Sequence, residues 1–138
     1  MITLDTSGFW AVTNRSDPCH AAARGVLEDD VGPWFIPAVT LTEIAWLIAA
    51  RSRRALAILT SVLTDIHSGQ YALDCGENDL ARISALLTRY EDLGLDLPDA
   101  AVVAAAERHG GRVLTTDRRH FDVVARGEGT LTVLPAAR

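Results

Sequence analysis

Cysteine is scarce in this chain. Cys19 and Cys75 are the two present, and they form neither a CxxC pair nor a zinc-type spacing. The pattern fits two reduced thiols in a cytosolic protein, not a disulfide framework. Long apolar runs are missing as well. The longest uncharged stretch is the twelve residues Val31 to Thr42, interrupted by Pro33 and Pro37. It is too short to span a bilayer, so no membrane association is expected. No basic segment followed by an apolar one opens the chain, so no signal peptide is expected. A Gly-rich phosphate loop, a GxSxG elbow and HExxH or HxH spacing are all absent, which sets aside P-loop, serine-hydrolase and zincin chemistry. Positive charge is not in excess either. A net charge of −5 argues against a general nucleic-acid coat. It leaves room for a nucleic-acid enzyme, because a site that gathers acids to hold cations lowers the net charge by itself.

Apolar residues make up 49% of the chain and charged residues 22%, a globular balance. Repeats, low-complexity tracts and flexible linkers are missing, and 138 residues are read as one domain, 1–138. Ile2 to Leu4 reads as a short strand. Asp17-Pro18 is a helix start signal, with a helix from His20 to Leu27. Trp34 to Ile36 reads as a strand. Leu41 to Arg51 is helical by the spacing of Leu41, Ile44, Ala45 and Ile48. Arg53 to His67 follows as a helix with Leu56, Leu59, Leu63 and Ile66 as its apolar stripe, more often plain core than a partner surface. Tyr71 to Leu73 reads as a strand. A helix from Asn78 to Leu93 carries Leu80, Ile83, Leu87 and Tyr90 on one side. Pro98 to His109 is an alanine-rich helix closed by Gly110 and Gly111. Val113 to Thr115 and Leu131 to Leu134 are the last strands. Alternating short strands and helices point to an α/β layer fold with a mainly parallel sheet. Ligands of such sheets sit beyond the carboxyl ends of the strands.

Four carboxylates draw attention to that edge. Asp5 closes the first strand, and Asp117 follows the strand Val113 to Thr115 by two residues. Asp99 lies in the first turn of the Pro98 helix, and Glu43 in the first turn of the helix after the second strand. Uncompensated, such a group raises its members' pKa values. Magnesium or manganese would remove the conflict and activate water for attack on a phosphodiester. Thr6 and Thr116 could orient the carboxylates or the water. Each acid also has a structural reading. Thr40-x-x-Glu43 is a capping box, Asp99 suits a helix N-terminus, and Asp117 can be an N-cap. Asp5 is the hardest to explain structurally, because burying an unpaired carboxylate costs several kcal/mol.

The remaining polar and aromatic residues carry weaker signals. His20, His67, His109 and His120 read as surface or helix-end residues. Trp10, Trp34 and Trp46 read as core or interface aromatics. Arg51, Arg53 and Arg54 read as a solvated helix junction. Arg118 and Arg119, beside Asp117, either contact RNA phosphates or are solvated.

The stretches MITLDTSGFWAV, VTLTEIAWLI and LPDAAVVAAAERHGGRVLTTDRRHF, together spanning nearly the whole chain, resemble the PIN domain. Within it they resemble the VapC-type toxins of prokaryotic toxin–antitoxin pairs. The resemblance implies a three-layer α/β/α fold around a central, mainly parallel sheet of four to five short strands. It implies a site of Asp5, Glu43, Asp99 and Asp117 holding Mg2+ or Mn2+, with Asp5, Asp99 and Asp117 mainly as ligands. Glu43 would hold a second ion or position the water. The third acid is assigned to Asp99 because DAAVVAAAER matches in register; Asp96 is a candidate extra ligand or supporting acid. The implied activity is hydrolysis of RNA by in-line attack of water, with the 3′ oxygen leaving. A homodimer and a co-expressed antitoxin are the implied partners, and the cytoplasm the implied location. Three other readings stand beside it: a PIN nuclease in RNA processing, a catalytically silent PIN scaffold, and an aspartyl-nucleophile phosphatase. The last normally needs DxD, whereas this chain has Asp5-Thr6-Ser7.

Overall fold

A computed structural model describes residues 1–136. The chain runs β1 (Ile2–Leu4), α1 (Thr6–Thr13), α2 (His20–Glu28), β2 (Trp34–Pro37), α3 (Thr40–Arg51), α4 (Ala55–His67), β3 (Ala72–Asp74) and α5 (Leu80–Arg89). A single 3-10 turn (Glu91–Leu93) then leads to α6 (Leu97–Arg108), β4 (Arg112–Leu114), α7 (Arg118–Glu128) and β5 (Thr132–Leu134). The five strands form one parallel sheet in the order β3-β2-β1-β4-β5.

Each strand is only three or four residues long, so alternation decides everything about its two faces. Thr3 pairs with Val113 and Leu4 with Leu114. Ile2, Leu4, Ile36 and Leu114 therefore face one core, closed by Phe9, Leu27, Ile44, Ile48 and Val62 from α1–α4. Val113 faces a second core with Leu86, Val102, Val103, Phe121 and Val124 from α5–α7. Two cores on two sides of one sheet make the three-layer arrangement expected. The central strand β1 is covered on both sides, as parallel strands require.

Helix α6 is buried nearly all round through Ala100, Val102, Val103, Ala104, Ala105 and Ala106. Its small side chains suit it to lie against β1, β2 and β4, and its first turn delivers Asp99 to the carboxyl edge of the sheet. Helix α1 comes equally close. A Cβ at Gly8 would stand 2.0 Å from the Leu114 carbonyl oxygen, so only glycine lets α1 begin directly beside β4.

The sequence pattern predicts no helix over 6–13 or 118–128, and both are helical. Helix α1 is too short to show a period, and its apolar residues fall in one run, Phe9 to Val12. Helix α7 is mostly polar and buries Phe121 and Val124 alone. Two expected stripes are also rotated. On α4, Leu59, Val62 and Ile66 pack on the core, while Leu56 and Leu63 are 75% and 45% exposed. On α5, Ile83 and Leu86 are buried, whereas Leu80 is 71% exposed. Trp10 and Trp34 pack against the first core, but Trp46 is exposed. Both cysteines are free thiols. Among the described residues, no helix is long and apolar enough to cross a membrane.

Candidate metal centre

Neighbouring strands β1 and β4 end side by side, and each is followed by an acid. The Asp5 N–H donates to the Leu114 carbonyl at 3.0 Å, extending the ladder one step past the strand. The Asp5 side chain is thereby fixed in a buried position, 5% exposed. Its Oδ2 accepts from the Thr115 hydroxyl at 2.9 Å and the Ser7 hydroxyl at 3.0 Å. Burial nevertheless pushes its pKa up to about 6, with the Glu43 charge adding to the effect. The same two hydroxyls hold the facing loop. Thr115 Oγ1 accepts the Asp117 N–H at 3.0 Å, and Ser7 Oγ accepts the Thr116 N–H at 3.0 Å. The hydroxyl that orients Asp5 is thus that of Thr115, not Thr116.

Glu43 enters from the first turn of α3. Its Oε1 accepts the Thr6 hydroxyl at 2.8 Å, so Thr6 does orient a carboxylate. The expected capping box at Thr40 and Glu43 is not formed: the helix has no side-chain cap, and the Thr40 hydroxyl donates back to the Pro37 carbonyl at 2.8 Å. Glu43 is left facing Thr6, next to a hollow of about 320 Å³ that Thr42, Trp46 and Leu47 also line.

Asp99 does serve its helix. Asp96 Oδ1 accepts the Asp99 N–H at 3.0 Å, and Asp99 Oδ2 accepts the Asp96 N–H at 3.4 Å, a reciprocal cap. This gives Asp96 a structural role and leaves Asp99 Oδ1 without a described partner. Burial, then the negative charge of Asp96, then that of Asp5, push the Asp99 carboxyl up to about 7. Asp117 caps α7: its Oδ1 accepts the His120 N–H at 3.2 Å, and its Oδ2 lies 2.8 Å from His120 Nδ1. Ligand atoms of Asp99, Asp117 and His120 all fall within 4.8 Å of one another.

The structure therefore places Asp99 and Asp117 within reach of one small cation, with Asp5 close enough to raise the Asp99 pKa and Glu43 to raise that of Asp5. Ser7, Thr115 and His120 are the neighbours that sequence reasoning missed. Arg118 is not turned to the acids. Its guanidinium pairs with Asp122 at 3.1 Å and donates to the Pro135 carbonyl at 2.6 Å. Arg119 is exposed. A groove of about 780 Å³, lined by Arg15, His20, Arg24 and Arg54 among others, lies past the far end of α1 from Asp5.

Hard oxygen donors, two of them on acids with raised pKa values, fit a divalent cation. Comparison with known proteins agrees with the architecture. Ribonuclease VapC26 of Mycobacterium tuberculosis (strain ATCC 25618 / H37Rv) is 30% identical over 135 residues, covering 96% of this chain and 98% of the relative. The crystal structure of Mycobacterium tuberculosis VapC20, described as a toxin that cleaves the sarcin-ricin loop, superposes with a TM-score of 0.75 at 20% identity. That match covers 90% of this chain and 95% of the other. FitAcB of Neisseria gonorrhoeae superposes with a TM-score of 0.63 at 16% identity, over 96% of each chain. A family model of the PIN domain matches residues 2–127, and with the VapC26 similarity it follows that the chain belongs to the PIN-domain family, among its VapC ribonucleases.

Proposed function

We propose that this chain is the endoribonuclease toxin of a toxin–antitoxin pair, hydrolysing RNA phosphodiesters with Mg2+ or Mn2+ at the edge formed by Asp5, Glu43, Asp99 and Asp117. The observation that carries this reading is the burial of Asp5 at 5% exposure beside further carboxylates, with no arginine of the described residues paired to it. A cation is what such a set lacks. Asp5, Asp99 and Asp117 would hold it. When bound, it would supply a polarised phosphate oxygen and a water of lowered pKa.

The chain's own groups do the rest. Thr115 and Ser7 both donate to Oδ2 of Asp5 and keep its carboxylate in one orientation, ready to hold the ion without reorganisation. The reciprocal cap with Asp96 does the same for Asp99. Glu43 has one oxygen engaged by Thr6 and one to orient the attacking water and accept its proton. Cleavage of mixed tRNA and rRNA by antitoxin-free protein tests the reading. It should require manganese or magnesium, stop with chelator, and fall to background in Asp5→Asn. Cleavage that persists in chelator, or in Asp5→Asn, would overturn it.

An antitoxin and a second copy of the chain belong to the same proposal. Exposed Leu56, Leu63 and Trp46 on the α3–α4 pair support a protein partner there. Exposed Leu80 and Leu97 at the start of α5 and α6 support a second apolar contact.

A further inference from the structure

Three of the four histidines have settled positions. His20 Nδ1 lies 2.7 Å from the Ala11 carbonyl. His109 stacks on Phe35, with ring centroids 3.6 Å apart, and pairs with Asp74 at 2.6 Å. His67 is exposed on the last turn of α4. His120 differs. It sits in the first turn of α7, its side chain is 19% exposed, and the side-chain partner its ring meets is Asp117. No carbonyl or hydroxyl among the described residues engages its other ring nitrogen.

Ligands of one small divalent ion lie about 2.0–2.2 Å from it, so donors around it are about 3–4 Å apart. The 4.8 Å limit within which Asp99, Asp117 and His120 offer ligand atoms needs only small side-chain rotations to reach that spacing. The ring is held through its Nδ1, 2.8 Å from Asp117 Oδ2, while the His120 backbone N–H donates to Asp117 Oδ1. One turn of helix thus presents an oxygen and a nitrogen to the same point.

We propose that His120 is a nitrogen ligand of this centre, binding the divalent ion together with Asp99 and Asp117 and biasing the site towards manganese. The inference rests on the reading of these acids as metal ligands. Imidazole suits transition ions, whereas magnesium prefers oxygen. An aspartate-only edge would have no such bias.

The test uses manganese chloride and antitoxin-free protein. Pulsed electron paramagnetic resonance of the Mn2+-loaded wild type should show nitrogen modulation, which shifts when histidine is labelled with 15N. His120→Gln and His120→Asn should lose it, and should weaken Mn2+ binding about ten-fold or more while Mg2+ binding, read by competition, moves less than two-fold. A histidine that merely positions Asp117 gives no nitrogen signal and weakens both ions alike. Bound Mn2+ without nitrogen modulation, at equal affinity in wild type and variants, would overturn the proposal and leave the carboxylate centre standing. Absence of Mn2+ binding in wild type, with Asp5→Asn no different, would overturn the carboxylate centre and the proposal with it. Circular dichroism melts of both variants show that they are folded.

Discussion

Thr115 donates its hydroxyl to Asp5 at 2.9 Å across the seam where β1 meets β4. The same oxygen accepts the N–H of Asp117 at 3.0 Å. One hydroxyl therefore ties two of the four acids to each other. Thr115→Val keeps the shape and removes the bond. A buried carboxylate left short of a donor should cost about 1–3 kcal/mol of stability, and RNA cleavage should fall about ten-fold or more. Thr115→Ser should restore most of both. Urea unfolding and initial cleavage rates, measured on the same preparations, check this.

Asp5 and Asp99 titrate in the folded protein at about 6 and about 7, against 3.8 unperturbed. A raised acid contributes stability that is complete below its unfolded pKa and lost as pH rises through the folded value. Chelator-treated protein should therefore lose stability as pH rises between about 4 and about 7. Asp5→Asn should flatten part of that slope, melt no lower than wild type at pH 8, and lose the stabilisation that manganese gives wild type. Thermal melts across this range, with chelator and with manganese, read all three effects.

The opposite sign holds at the far end of α6. Arg82 bridges Glu107 at 2.8 Å and Glu128 at 2.7 Å, fastening α5 to α6 and α7. Arg82 and Thr130 hold Glu107 below its usual pKa, and Tyr90, Arg82 and Arg89 do so for Glu128 despite its burial. Stability from these acids is present above about pH 4.5 and is lost as pH falls through their depressed values. Arg82→Met leaves a nearly buried Glu128 short of a partner. With Arg82 itself 39% exposed, the expected cost is about 1–3 kcal/mol, below that of a fully buried pair. The variant should also have a shallower stability slope between pH 3 and pH 5, read by urea unfolding.

Gly8 and Gly25 both sit inside helices, where alanine is intrinsically favoured by about 1 kcal/mol. At Gly25 nothing lies within 4 Å of an added Cβ, so Gly25→Ala should stabilise by about 0.5–1 kcal/mol. At Gly8 the added atom would meet the Leu114 oxygen at 2.0 Å. Backbone must move, at a cost of about 1–3 kcal/mol or more that outweighs the propensity gain. Gly8→Ala should destabilise and, by shifting α1, also reduce cleavage. Paired chemical denaturation of the two variants checks the opposite signs.

Strand order was not legible in the sequence, but the strands were. Ile2–Leu4 and Val113–Leu114 are short apolar runs next to acids, and parallel pairing brings such ends together. Helices whose buried face is shared among several neighbours were read poorly. Leu56 and Leu80 fit a helical stripe by spacing, yet the angle at which α4 and α5 meet the core leaves both outside. Helix α7 escaped notice because Phe121 and Val124 are all it buries. The positions of Asp5, Asp99 and Asp117 at one edge follow from strand ends and a helix start, signals that survive in one dimension. Glu43 depended on a contest between a local cap and a contact with Thr6, 37 positions away, which spacing cannot decide. Thr115 and His120 were missed for a related reason: a hydroxyl or a ring becomes interesting only once its direction is known.

The four acids are drawn from both sides of the sheet, and in chain order Asp117 comes last. Thr115, which orients Asp5 near the start, is also a late residue. A chain that has reached only α6 thus carries Asp5, Glu43 and Asp99 without Asp117, and β1 lacks its β4 neighbour until residues 112–114 have been made. The candidate cation site therefore forms only when β4 docks beside β1 and brings Thr115 to Asp5, 110 positions away, so no local segment of the chain can build it alone.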